Sequence, residues 1–256
     1  MRWQVDPRQS PLGWVVDGAV AFDRLAPSGR RTVTVIGPPS AAAAAVRRLV
    51  PARQPTRVTV PAGTLELMSD ELRVGDGASW EWMRTDVPPP ASASAQRVQL
   101  LGSSDHSSIA ELLAAASLRH SADPGDDDVA AWAGVRDDAG TLVSCAAHTE
   151  PVAGVPHLAS IATRASARGQ GLGSLITGTL TRRLLLEGSP VVTLGMYSDN
   201  DVARRLYSRL GFRCDHRWSS YAILRTGSSH PTGSGELADR PGPLRGVQRL
   251  VRPCEA

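Results

Sequence analysis

The sequence predicts an α+β fold of three layers, in which helices flank a sheet. Three observations carry the prediction. Short runs rich in β-branched residues recur along the 256 residues, among them 31–36, 57–60 and 191–197. Between them lie segments whose apolar residues recur at helical spacing. Finally, Arg168-Gly169-Gln170-Gly171-Leu172-Gly173-Ser174 joins the apolar run 158–163 to a helical pattern over 172–187. Strand, glycine loop and helix in that order form a phosphate cradle, because glycines allow close backbone approach and the first helical turn leaves its N–H groups unpaired.

In chain order, residues 1–90 read as a small α+β domain. Segments 14–22 and 31–36 read as strands, with Ser28-Gly29 as the turn between them. Pro38-Pro39-Ser40 starts a helix over 41–50, which Pro51 stops. A strand at 57–60, a short helix or turn at 62–68 and a tryptophan-rich strand at 79–84 complete a β-β-α-β order. This half has no cradle: Ile36-Gly37-Pro38-Pro39 offers one glycine and two residues without N–H groups. The Pro, Ala and Ser residues of 86–96 have the composition of a linker, drawn here as 91–96.

A second domain is expected over 97–226. It opens with a strand at 98–101, followed by a helix capped by Ser104 or Asp105 that carries Ile109, Leu112, Leu113 and Ala116 on one face. Asp137-Asp138-Ala139-Gly140 makes a hairpin of 131–136 and 141–148, and a turn at 151–156 leads to the strand 157–163. The next helix places Leu172, Leu175, Ile176, Leu180 and Leu184 on one stripe, with Arg182 and Arg183 outside. Residues 227–256 change to Gly, Ser, Pro and Arg, the composition of a disordered or loosely docked tail.

Composition excludes several function classes. Apolar residues are 41% and charged residues 21%, ordinary values for a globular chain, and no apolar run is long enough to span a membrane or serve as a signal peptide. The expected location is cytoplasmic. The three cysteines, Cys145, Cys214 and Cys254, lack metal or redox spacing, so no metal site is expected. The net charge of +3 comes from scattered arginines without aromatic interleaving, which argues against nucleic acid as partner.

The cradle's ligand follows by elimination. A P-loop needs a lysine after its last glycine, and the chain contains none. A dinucleotide fingerprint needs a third Gly or Ala where Ile176 stands, and an acid closing the next strand, which 191–197 lacks. The pyrophosphate of coenzyme A remains.

Arg168-x-x-Gly171-x-Gly173 resembles the pyrophosphate signature of the GNAT superfamily, the GCN5-related N-acetyltransferases. A second block strengthens the resemblance: the strand 191–197, then Asn200, Ala203-Arg204-Arg205-Leu206-Tyr207 and Gly211-Phe212. It is similar to the family's strand, asparagine, helix with a Leu-Tyr pair and closing Gly-Phe. With a half that lacks the cradle ahead of it, the chain resembles tandem members with a degenerate N-terminal copy; an unrelated α+β cap is the alternative.

The resemblance implies a mixed, mostly antiparallel splayed sheet flanked by helices, with acyl-CoA entering the splay. Ser160, Ile161, Ala162 and Thr163 would pair with the pantetheine arm, and the Ile161 N–H or a neighbour would polarise the thioester carbonyl. The amides of Gly169, Gln170, Gly171, Leu172, Gly173 and Ser174 would hold the pyrophosphate, with charge from Arg168 and Arg164. Asn200 suits both a helix cap and a ligand contact, and Ala203 leaves room for the arm. Tyr207 would act as general acid toward the departing sulfur. For the base, Glu150 is the first candidate, with His148, His157 or a water chain as alternatives. Asp126-Asp127-Asp128 reads as a solvated loop or an attractor of a cationic amine, and Cys145 as a core thiol.

The implied activity is transfer of an acetyl group from acetyl-CoA to an amine in a ternary complex, the acceptor being a small molecule or peptide and the protein a monomer or homodimer. The alternative from another class is a non-catalytic acyl-CoA-binding regulatory module.

Overall fold

A computed structural model describes residues 12–25, 31–116, 119–152, 154–224 and 248–250. The described chain falls into two compact units, one built from 81–215 and the other from residues up to 80 together with those from 216 onward. The division therefore falls inside strand β5 (Val74–Thr85) and inside β11 (Arg213–Ile223).

The 81–215 unit orders its strands β5, β10 (Val192–Tyr197), β9 (Val155–Thr163), β8 (Leu142–Val152), β7 (Val129–Arg136) and β6 (Gln99–Leu101). β9 and β10 are parallel, whereas β6 with β7, β7 with β8 and β8 with β9 are antiparallel. Side chains alternate across the strands, so each face needs its own cover. Helix α2 (His106–Ala116) covers one face: Ile109, Leu112 and Leu113 pack with Trp132, Cys145, Ala147, Ala159 and Ala162. Helices α3 (Leu172–Leu186) and α4 (Asp201–Arg209) cover the other, where Ile176, Leu180 and Tyr207 meet Ala146, Leu158, Leu194 and Met196. Each fully buried leucine or isoleucine there contributes about 1.5–3 kcal/mol. The α3 stripe expected from sequence is this buried face.

Two glycines bring α3 close to α4. A Cβ on Gly173 would lie 3.3 Å from Leu206 Cδ1, and one on Gly178 would lie 3.1 Å from Leu210 Cδ2. Helix α4 is also tied to β5, since Arg204 reaches the two carboxylate oxygens of buried Glu81 at 3.4 and 3.2 Å and the carbonyl of Ser198 at 2.6 Å. These bonds set the position of Tyr207, one turn further along.

The other unit orders β12 (Gln248–Leu250), β1 (Leu12–Val16), β2 (Ala19–Leu25), β3 (Arg31–Ile36), β4 (Arg57–Pro61) and the end of β11. Helix α1 (Pro39–Arg53) lays Ala42, Ala43, Ala45, Val46 and Leu49 into a core with Val33, Val35, Val58 and Val60. Two local expectations change here. The single strand expected over 14–22 is a hairpin, because Asp17 (φ 47°) and Gly18 (φ 84°) both adopt the positive φ of a two-residue turn. Pro51 lies inside α1 rather than ending it. Its missing donor falls in the last turn, and the helix closes when Gln54, at φ 48°, donates its N–H to the Val50 carbonyl.

The expected Ser28-Gly29 turn lies outside the described residues, as does the expected tail except for Gln248–Leu250, which pairs antiparallel with Val15, Trp14 and Gly13. β11 has no counterpart in the sequence reading, because its residues lack clean alternation. Among the described residues, no helix is long and apolar enough to cross a membrane, and no cluster of three His, Cys, Asp or Glu could hold a metal ion.

Candidate functional site

The site begins where two parallel strands part. β9 and β10 are in register at His157 with Thr193 and at Leu158 with Leu194, and the pairing goes no further. β9 runs on to Thr163 with β8 alone at its side. A bulge shapes this free stretch: Cys145 faces Ala162 while Ala147 faces Ala159, so Ser160 and Ile161 together oppose Ala146. Ser160 takes φ 49°. The extra residue reverses the alternation, sending Ile161 to the α3 face and Ala162 to the α2 face. The bulge is pinned through Ser160 Oγ, which accepts from the Ala122 amide and donates to the Ala122 carbonyl, both at 2.8 Å.

Beyond Thr163 the chain makes a short 3-10 turn, Ala165–Ala167, and enters the glycine loop. Gly169 (φ 79°) and Gly171 (φ 74°) take left-handed conformations, and a Cβ on either would meet nothing within 4 Å. They face open space. Gly171 is the N-cap of α3, no side chain among the described residues bonds the first-turn amides, and no acid lies in that turn. Uncapped N–H groups at a helix start, preceded by positive-φ glycines, form a concave donor set for an anion. This observation fits the pyrophosphate expected from sequence. Gln170, Gly171, Leu172 and Ser174 also line a groove of about 720 Å³ that continues along α3 past Ser94, Arg97 and Arg182. Arg168 turns part of its guanidinium to the carbonyls of Thr163 and Ala116, at 3.4 and 3.3 Å. Arg164 likewise bonds the Leu142 carbonyl at 2.9 Å.

Helix α4 supplies the other wall. Asn200 Oδ1 accepts from the Ala203 amide at 3.0 Å, so Asn200 is the N-cap of α4, and no described residue bonds its amide NH2. Tyr207 is buried with its ring edge-on to Phe212, and among the described residues no group is bonded to its hydroxyl. Burial pushes this phenol up to about 12.

The family model described as "Acetyltransferase (GNAT) family" matches residues 101–212. This segment is a GNAT acetyltransferase domain. Solved structures agree with it in fold. The chain is similar to a GCN5-related N-acetyltransferase from Sphaerobacter thermophilus, at 20% identity and TM-score 0.59, over 83% of this chain and 79% of that one. It is similar to another from Kribbella flavida, at 18% identity and TM-score 0.56, over 86% and 91%. It is also similar to a tandem GNAT protein from the clavulanic acid biosynthesis pathway, at 15% identity and TM-score 0.51, over 82% and 80%. No curated protein matches the sequence.

The candidate bases separate within the GNAT domain. Glu150 is exposed at the end of β8, its carboxylate 3.3 Å from His148 Nε2. His148 alternates with Ala147, so it lies on the face of α3, where Arg183 and the C-cap residue Glu187 contribute to its field; burial first of all lowers its pKa. His157 lies on the opposite face, across from Thr149, at the closed end of the splay. Its Nδ1 is 3.0 Å from Thr193 Oγ1, which itself donates to the Pro156 carbonyl at 3.1 Å. Trp82 stacks on the imidazole, ring centroids 4.6 Å apart. Burial alone pushes this imidazole down to about 4.

Other candidates take quieter places. Cys145 is a sealed core thiol, which burial pushes up to about 12. Asp126 Oδ2 accepts from the Asp123 amide at 2.8 Å, so the acidic loop is partly self-bonded. Arg119 lies over the Tyr197 ring at 4.0 Å and pairs with Asp199 at 3.4 Å. Sequence reasoning missed Trp82, Thr193 and Gly195, and gave Ser160 only a backbone role, not the side-chain bonds that pin the bulge. Only Gly195 carried a readable signal, since an isolated glycine in a strand marks close approach by a ligand or another chain segment.

Proposed function

We propose that the GNAT domain transfers an acetyl group from acetyl-CoA directly to an amine, in a complex that holds both substrates at once. The observation carrying this reading is the splay between β9 and β10, with the uncapped start of α3 at its end and the unbonded hydroxyl of Tyr207 on α4. Bound acyl-CoA supplies the activated thioester. The amides of Gly169, Gln170, Gly171, Leu172, Gly173 and Ser174 hold the pyrophosphate, with Arg168 adding charge nearby. The free edge of β9 at Ile161, Ala162 and Thr163 pairs with the pantetheine arm, and the bulge aims an N–H at the thioester carbonyl to stabilise charge developing on oxygen. Asn200 keeps its NH2 for the arm while its oxygen caps α4, and Ala203 gives the arm room.

Tyr207 donates a hydrogen bond to the departing sulfur. A thiol titrates near 8.5, so a phenol at about 12 keeps its proton more firmly than the thiol it faces. Its contribution is therefore a hydrogen bond that stabilises the sulfur's negative charge, and the thiolate takes its proton from solvent once it departs. The N-terminal half is read as a degenerate copy, and the protein as cytoplasmic.

The test is release of free thiol from acetyl-CoA over a panel of small-molecule and peptide amines, beside calorimetric titration with acetyl-CoA. Turnover with at least one amine supports the reading. Tight binding without turnover for every amine replaces it with a regulatory acyl-CoA-binding module.

A further inference from the structure

Four strand residues converge at the closed end of the splay, on the face away from Tyr207. Thr193 and Gly195 lie on the same side of β10, with Trp82 from β5 and His157 from β9 on either flank. Strands two apart are separated by about 9.6 Å, so the rings of Trp82 and His157 must lean over β10 to stack. Gly195, exposed and without a side chain, leaves the space beside them open: a Cβ there would come no nearer to anything than 4.0 Å, to His157 Cε1.

The hydrogen-bond chain sets the tautomer. Thr193 has one hydroxyl proton and gives it to the Pro156 carbonyl, so its oxygen can only accept from His157. Nδ1 carries the proton, and Nε2 carries the lone pair. No described residue bonds Nε2, and the atom is not sealed from the outside.

We propose that His157 is the general base of the transfer, its Nε2 taking the proton from an acceptor amine that approaches over Gly195. The inference rests on the acyltransferase reading above. As the C–N bond forms, the C–S bond breaks and its electron pair leaves with sulfur, hydrogen-bonded by Tyr207. The amine proton passes to Nε2, and the imidazolium then releases it to solvent. Trp82 and the Thr193–Pro156 chain hold the ring still, so that its lone pair keeps one direction. The groups facing the ring are Trp82 from β5, Thr193 and Gly195 from β10, and Thr149 from β8; none titrates in the working range, and burial alone keeps the imidazole neutral down to about pH 4. Glu150 sits beside His148, on the other face of the sheet.

His157→Asn separates base from scaffold, because the asparagine amide still donates to Thr193 but offers no Nε2. With wild-type turnover established, this variant is expected to lose kcat by about 10²–10⁴-fold and to hold acetyl-CoA affinity within twofold; a loss of that size in Glu150→Gln with none in His157→Asn overturns the assignment. Added imidazole is expected to restore part of the rate to His157→Gly. Independently of turnover, the ¹⁵N shifts of His157 in the unliganded protein are expected to report protonated Nδ1 and bare Nε2 at neutral pH. Full activity in His157→Asn with an active wild type overturns the base assignment alone, as does a protonated Nε2. A wild type that binds acetyl-CoA yet turns over no amine overturns the underlying reading, and the base with it.

Discussion

Ser160 closes a reciprocal pair with Ala122: one hydroxyl accepts from the backbone amide and donates to the backbone carbonyl of the same residue, each at 2.8 Å. The pair joins the bulge in β9 to the loop that follows α2, and Ser160 is 8% exposed while doing so. Ser160→Ala strips a buried N–H and C=O of their shared partner, a loss of about 1–3 kcal/mol. Each kcal/mol lowers Tm by about 2–4 °C in a chain of this size. Calorimetry is expected to show that drop, with weaker acetyl-CoA binding as the bulge loosens. An unchanged Tm would show the pair to be energetically idle.

Gly171 tests the cradle through opposing signs. Gly171→Glu places a carboxylate at the start of α3, where the helix dipole favours it by about 0.3–1 kcal/mol. The φ of 74° disfavours a side chain by about 1–2 kcal/mol. Stability therefore changes little. The same carboxylate repels a pyrophosphate, and acetyl-CoA affinity is expected to fall about tenfold or more, which titration calorimetry measures. Retained affinity removes the loop from the site.

Tyr207→Phe is expected to lower kcat by about 10–100-fold, the worth of one hydrogen bond to a charged sulfur, with acetyl-CoA affinity nearly intact. Alkaline stability checks the burial of the same group. The folded phenol titrates near 12 against 10 when exposed, so the unfolded chain sheds its proton first and stability falls as pH rises from about 10 to 12. The Phe variant is expected to lose less stability across that window.

His157 acts at the acid end. Its folded value near 4 lies below the ordinary 6.5, so its contribution is fully present above pH 6.5 and lost as pH falls toward 4. Denaturant unfolding at stepped pH is expected to show a flatter acid limb in His157→Asn than in the wild type. Identical limbs would mean that the imidazole is solvated in the folded state.

Much of the GNAT domain is legible in one dimension because its signals are local. The α3 stripe, the glycines with positive φ and the Asn200 cap each depend on residues within a turn or two. The Asp17-Gly18 turn was equally local, and the strand pattern of 14–22 hid it, since apolar residues continue across the two turn positions. Pro51 misled for a related reason: a proline rule written for helix interiors weakens in a last turn. β11 was out of reach, because its pairing with β4 joins residues about 160 apart and leaves little alternation behind.

The sequence by itself determined the glycine loop of residues 168–174 ahead of a helix start, the helix that carries Tyr207 and the absence of lysine that excludes a P-loop. Only the tertiary structure decided where β9 and β10 part, which face Ile161 and Ala162 take after the bulge, and which nitrogen of His157 meets Thr193. The reason is physical. Hydrogen bonds between Ser160 and Ala122, and from His157 through Thr193, join residues 36–38 positions apart, and no local pattern records them.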